Sequence, residues 1–300
     1  MRAGVAPGPE DITDVVLDNG LRVLLLENPA SPSVVIDGVV LAGSTLEPED
    51  RPGLAAFMAD MLERGTEDHD FTALSDTLES LGADIGFSAG RHTLSLAAKC
   101  LPEDMATIVS LLSEMLTRPS FLPAEVEKLR GQIITGLRQR RDDTRYRAAR
   151  RFRRLAYGRH HPYGRDADGT PETIGAIQRD ELVAFYRRHL HPGGGIVAVV
   201  GAFDAGEVEA TLRGTLGAWQ PGSEAPDPIN IEAGPLPQAQ VRDKVAMPGK
   251  VQSDVVIGNP AIPRHHPDWM AASVANVVLG VFGLMGRLGR NVRDARGLAY

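Results

Sequence analysis

An α+β fold, in which a mixed and mainly antiparallel sheet carries helices on one face, is what this 300-residue sequence predicts. The first observation is the order of elements read from hydrophobic periods, β-β-α-α-β-β-α-α-α-β-α. Second, Asn19-Gly20 interrupts the apolar run 15–26, and that pair is the strongest short signal for a tight hairpin. Third, Ile196-Val-Ala-Val-Val-Gly201 is an apolar, β-branched run closed by glycine, as in a buried strand.

The elements follow in order. Strands are expected over 15–26 and 34–41, with Gly43-Ser-Thr as a turn. A helix spans 53–64: Leu54, Phe57, Met58, Met61 and Leu62 recur at helical spacing and read as core, and Gly65 is suited to end it. A second helix over 71–81 precedes strands at 83–87 and 92–99. Long helices are expected over 103–116 and 124–140, and shorter ones over 180–189 and 205–216. From 219 to 238 five prolines and acidic residues replace any periodicity, which marks a linker. Strands resume at 240–246 and 253–258, with helices from His266 onward, repeating the plan of the first half. The domains are therefore expected at 1–218, a linker at 219–238, and the start of a second, similar domain at 239–300, cut short at Tyr300.

Bulk properties narrow the function. A net charge of −7 argues against a nucleic-acid-binding surface. No stretch is long and apolar enough for a membrane span, and no signal peptide is visible, so a soluble protein is expected; 28 arginines against 4 lysines point to a GC-rich bacterial genome, with cytoplasm and periplasm both open. Cys100 is the single cysteine, which excludes an internal disulfide. Nine arginines lie between Arg138 and Arg154; an exposed amphipathic helix face accounts for them more simply than a docking face for an acidic partner. The pairs His160-His161 and His265-His266 sit beside proline without a partner at i+4, and read as solvated or capping residues, not ligands.

The segment Gly53-Leu-Ala-Ala-Phe-Met-Ala-Asp-Met-Leu-Glu-Arg-Gly-Thr66 resembles the signature helix of the insulinase/pitrilysin proteins, the inverted zincins of peptidase family M16, written G-L-A-H-F-x-E-H-M-L-x-x-G-T. The resemblance extends through Asp18-Asn-Gly-Leu-Arg-Val, Leu81-Gly-Ala, Tyr157-Gly-Arg-His-His-Pro-Tyr-Gly164, Gly169-Thr-Pro-Glu-Thr-Ile174 and Val199-Val-Gly201. It implies the fold of the processing-peptidase metallohydrolases, a clamshell of two similar halves. In that family two histidines bind zinc and a glutamate activates water; the matching positions here are Ala56, Asp60 and Ala59. The family's third ligand and its supporting glutamate match Gly136 and Leu129. All five positions are altered. Zinc needs three protein ligands and an open position, so the resemblance implies no metal and no cofactor in this chain. Asp60 and Glu63 are best read as two solvated carboxylates on a helix.

In the second unit, Leu279-Gly-Val-Phe-Gly-Leu-Met-Gly-Arg-Leu288 resembles the family's glycine-rich loop. Arg293-Asp-Ala-Arg-Gly-Leu-Ala-Tyr300 matches an arginine–tyrosine pair that the family uses to hold substrate and stabilise the scissile carbonyl. The resemblance implies a non-catalytic, substrate-binding or regulatory subunit. It would supply Arg293 and Tyr300 in trans to a zinc-bearing paralogue of the same family, as a heterodimer or else a homodimer, with peptide as substrate. The alternative is a scaffold subunit of this fold with no part in proteolysis, like the core proteins of a respiratory complex.

Overall fold

The structure, a computed structural model, describes residues 7–220, 231–232, 234, 238–281 and 286–299. Six strands form its sheet: β1 (Thr13–Val16), β2 (Arg22–Glu27), β3 (Val34–Val40), β4 (Asp84–Ala89), β5 (Leu94–Cys100) and β6 (Ile196–Gly201). Their spatial order is β1-β2-β6-β3-β5-β4. β2 and β6 run parallel; every other neighbouring pair is antiparallel. Asn19-Gly20 makes the turn between β1 and β2, with Gly20 in the left-handed region at φ 83°. Alternation along β3 buries Val34, Ile36 and Val40 and exposes Asp37, the pattern of a sheet covered on one face.

Eight helices belong with this sheet: α1 (Leu54–Met61), α2 (Phe71–Leu81), α3 (Met105–Thr117), α4 (Pro123–Arg140), α5 (Thr144–Tyr157), α6 (Pro171–Ala176), α7 (Arg179–His189) and α8 (Ala205–Gly214). α1 packs against β4, α4 and α7. α3 turns Ile108, Val109, Leu112, Met115 and Leu116 into the core. The chain resolves into two compact units, one of residues 1–235 and 241–256, the other of residues 236–240 and 257–300. In the second, α9 (Trp269–Asn276) continues into a π-helical turn (Val277–Val281); α10 (Gly286–Leu288) leads to another π-helical turn (Gly289–Asp294). Among the described residues of this second unit, Pro260 alone is buried.

Three expectations differ from the structure. α1 stops at Met61, short of Gly65, because its last carbonyl bonds close tightly: Leu62 N–H donates to Ala59 O and Arg64 N–H to Met61 O. α5 and α6 fall between the expected elements, since arginines interrupt the apolar period of α5 and α6 is six residues long. The strands expected at 240–246 and 253–258 are absent among the described residues. A strand must pair its backbone groups with a neighbour, and these residues instead lie in solvent, Val255 and Ile257 among them. Residues 241–256 group with the first unit, where Asp243 pairs with Arg151 and Asp254 accepts a hydrogen bond from Thr144. The linker expected at 219–238 lies mostly outside the described residues.

Candidate functional site

The helix that carries the altered signature is fixed at its N-terminus by an acid that the motif does not include. Glu47 is buried, and its Oε1 accepts the N–H of Gly53 at 3.2 Å and of Ala55 at 2.8 Å. These are free first-turn donors of α1, where negative charge is favoured. Burial nevertheless pushes the Glu47 carboxyl up to about 8, outweighing those two bonds and the charges of Arg165 and Arg91. Gly53 takes φ 94°, and a Cβ there would stand 2.8 Å from Gly169 Cα and 2.7 Å from the Ile174 side chain. Only glycine allows that close approach.

Ala56, Ala59 and Asp60 stand at i, i+3 and i+4 on α1 and so share one face. Ala59 is completely buried, whereas Ala56 and Asp60 are half-buried. Leu129 and Gly136 lie seven residues apart on α4, which packs against α1; Arg64, in the turn after α1, donates Nη2 to Gln132 Oε1 of α4 at 2.8 Å. Leu129 is buried, and no heavy atom lies within 4 Å of a Cβ built on Gly136. Burial, and after it the charge of Glu63, raises the Asp60 carboxyl to about 6, against the opposing charges of Arg64 and Arg140. Burial also raises Glu63, although its Oε1 accepts the N–H of Phe87 on the edge strand β4 at 2.9 Å. Glu63 therefore covers a backbone donor and is not a solvated carboxylate.

The five positions present one carboxyl, two methyl groups, one isobutyl group and no side chain at Gly136. Zinc wants three nitrogen, sulfur or oxygen donors in tetrahedral array, and this set does not fit it. No group of three histidine, cysteine, aspartate or glutamate residues that could hold a metal ion occurs among the described residues. A groove of about 570 Å³ beside Glu114, Tyr186 and Trp219 is lined by none of these five residues.

Arg293 belongs to the second unit, in the turn Gly289–Asp294, and is exposed; its Nη1 lies 3.6 Å from Asp294 Oδ1. Tyr300 and part of the glycine-rich segment 279–288 lie outside the described residues. Of the histidine pairs, His160 pairs with Glu49, and His161 Nε2 meets the Glu232 carbonyl at 2.9 Å while its ring stacks on Tyr157. The arginine run is more engaged than a solvated face. Arg150 and Arg154 both close on buried Asp166, each at 2.8 Å from Oδ2, and Arg140 reaches Asp168 at 2.7 Å. Sequence reasoning missed Glu47 and Asp166; the sign available for Glu47 was an acid six residues before the helix-starting glycine.

A six-stranded mixed sheet with the Gly53–Thr66 frame on a buried helix defines a protein of the metallopeptidase-fold class. Comparison with known proteins gives its family. The insulinase (peptidase family M16) profile matches residues 22–164, and the peptidase M16 inactive domain profile matches residues 176–300. The chain belongs to peptidase family M16. It is 29% identical over 290 residues to an uncharacterized zinc protease of Mycobacterium leprae, covering 95% of this chain and 63% of that protein. It is 24% identical over 276 residues to the bovine mitochondrial cytochrome b-c1 complex subunit 1, covering 88% of this chain and 54% of that one. The chain thus spans less than two thirds of the length of either relative. A crystal structure of a peptidase M16 inactive domain from Pseudomonas fluorescens superposes with a TM-score of 0.81 at 25% identity, over 96% of this chain and 69% of that one. No helix among the described residues is long and apolar enough to cross a membrane.

Proposed function

We propose that the chain is a non-catalytic, substrate-binding or regulatory subunit of an M16-type zinc metalloendopeptidase, whose zinc is held by a paralogous partner in a heterodimer. The observation that carries this reading is the α1 face of Ala56, Ala59 and Asp60, which keeps the family's frame and core packing without a donor set for zinc. Arg293 supports the second half of the reading. Its exposed guanidinium, which among the described residues is ion-paired only with Asp294 at 3.6 Å, has donors to offer a peptide carbonyl or oxyanion. Tyr300 is assigned the matching phenol donor from its place in the sequence. Both residues would act on peptide bound across the partner's site.

The test is hydrolysis of a quenched fluorogenic peptide by the chain alone, by a zinc-motif paralogue alone, and by the two mixed. Activity well above the paralogue's own, lost with Arg293→Ala or Tyr300→Phe, is the expected result. Chelator-sensitive hydrolysis by the chain alone would refute it. One observation favours a second reading, a scaffold role without proteolysis: the similarity to a subunit of the cytochrome b-c1 complex. Stable association with a partner that leaves hydrolysis unchanged would select that reading.

A further inference from the structure

The sheet does not close on itself, so it ends in two open edges, β1 and β4. An open edge presents unpaired N–H and C=O groups that another strand can use. β1 is four residues long, which already limits what it can pair. β4 runs for six, and its register with β5 decides which of its backbone groups face outward. In an antiparallel ladder, alternate residues point both backbone groups at the neighbour or both away from it. Phe87 stands opposite Leu96, yet its N–H goes to Glu63 Oε1, at 2.9 Å. Phe87 therefore faces the open side, and so do Ile85 and Ala89, two residues away in either direction. Gly90, one residue on, donates inward to the Thr93 carbonyl at 2.7 Å.

Glu63 reaches this edge from the turn after α1, the helix that packs against β4. Its carboxylate lies along the strand: a Cβ built on Gly86 would stand 3.8 Å from the same Oε1. A second strand would run about 4.8 Å from β4 and bring a carbonyl oxygen to the Phe87 N–H. The Glu63 oxygen already holds that place. Covering one amide is not reason enough for an acid here, because the N–H groups of Ile85 and Ala89 face the same way with no partner among the described residues. The acid is also costly to keep there. Burial raises its carboxyl, and the Phe87 bond and the Arg64 charge offset this only in part.

We propose that Glu63 closes the β4 edge against a second copy of this chain. The edge is self-complementary. Two antiparallel β4 strands related by a two-fold axis at Phe87 would set Phe87 opposite Phe87 and Ile85 opposite Ala89, so that the outward groups of both strands pair. With Glu63 in place, two carboxylates would instead meet at that axis, each where a Phe87 carbonyl must go, and like charges directly opposite one another destabilise a ladder. Edge closure is independent of the proposed subunit role and stands whether or not that role holds.

The experiment compares the full chain as wild type, Glu63→Ala, Glu63→Gln and the double variant Glu63→Ala with Ala89→Pro. Amide hydrogen exchange is read at β4 in dilute protein, and sedimentation velocity is run across a roughly hundredfold range of concentration. In wild type the Phe87 amide should exchange more slowly than those of Ile85 and Ala89. Glu63→Ala should speed Phe87 by roughly tenfold, the worth of a hydrogen bond to a charged group, and should self-associate at concentrations where wild type does not. Glu63→Gln keeps a side-chain carbonyl for the Phe87 N–H, so its Phe87 should stay slow and its association should fall below that of Glu63→Ala. Ala89→Pro removes an outward donor from the same edge and should return the sedimentation of the double variant to that of wild type. Phe87 exchanging as fast as Ile85 and Ala89 in wild type overturns the proposal without any variant. So does a Glu63→Ala protein that sediments like wild type, or an association that Ala89→Pro leaves intact.

Discussion

Asp60→Asn is the sharpest probe of the signature helix, because it removes a titrating group from a position where the family has a ligand. The folded chain holds this carboxyl up at about 6, against 3.8 for an ordinary aspartate, chiefly through burial. An acid raised in the folded state keeps its proton there after the unfolded chain has lost it. Folding stability contributed by Asp60 is therefore intact below pH 3.8, falls as pH rises to about 6, and stays reduced above that. At about 1.4 kcal/mol for each pH unit in that window, the ceiling is about 3 kcal/mol. Asp60 is only half-buried and faces Arg64 and Arg140, so about 1–2 kcal/mol is expected after solvent screening. Asparagine does not titrate, so the stability of Asp60→Asn minus that of wild type should grow by that amount between pH 4 and pH 7. Urea unfolding of both proteins at the two pH values measures it. A difference that stays flat, or shrinks as pH rises, would refute the reasoning. It would mean that the ionised carboxylate has found a cation, Arg140 or Arg64, that outweighs burial.

The remaining expectations concern the helices that frame the site. Gly53→Ala should cost more than about 2 kcal/mol, since a left-handed φ disfavours alanine and the new Cβ meets Gly169 Cα at 2.8 Å. Gly136→Ala, in the interior of α4 with open space around its Cβ, should instead gain about 0.5–1 kcal/mol from lower chain entropy; calorimetric Tm values of opposite sign for the two glycines check both. Leu129→Ala removes a side chain only 4% exposed and should cost about 2–4 kcal/mol, read as a lower urea midpoint at unchanged slope.

Much of the fold is legible in the sequence because local patterns and tertiary packing agree there. α2 and β6 occupy the expected residues, 71–81 and 196–201, since capping and apolar content mark their ends: the Asp70 side chain accepts from Ala73 N–H, and Gly82 and Gly201 take left-handed or extended glycine-only conformations. α5 is harder to read. Its arginines are held by Asp166 and Asp243, 12 to 16 and 92 residues away, and no local period announces such partners. Residues 240–258 fail for the opposite reason: their alternation is local, but a strand exists only with a neighbour to pair with. At the site, the motif located Ala56, Ala59, Asp60, Leu129 and Gly136 on two helices that do pack together. Glu47 closes α1 from six residues before Gly53, a local sign that no apolar period marks, whereas Glu63 covers a β4 amide 24 residues on, a contact made only when the chain folds back.

The same packing explains how the helix persists without donors at the ligand positions, and it yields a last expectation. A buried histidine or glutamate on α1 would need a partner to offset its desolvation. Ala59, at 0% exposure, imposes no such requirement, and Phe57, Met58, Met61 and Leu62 are equally buried beside it. α1 is held by this apolar contact and, at its first turn, by Glu47. Neither depends on a cation. A protein whose helix was organised by a bound metal would lose Tm on chelation, because a ligand that binds only the native state adds to its stability. Treating the purified chain with excess chelator should therefore leave Tm unchanged, while Glu47→Ala should lower it by exposing unpaired first-turn amides. A fall of several degrees on chelation, restored by zinc, would mean that donors outside the five altered positions hold a metal, and that apolar packing alone does not hold α1.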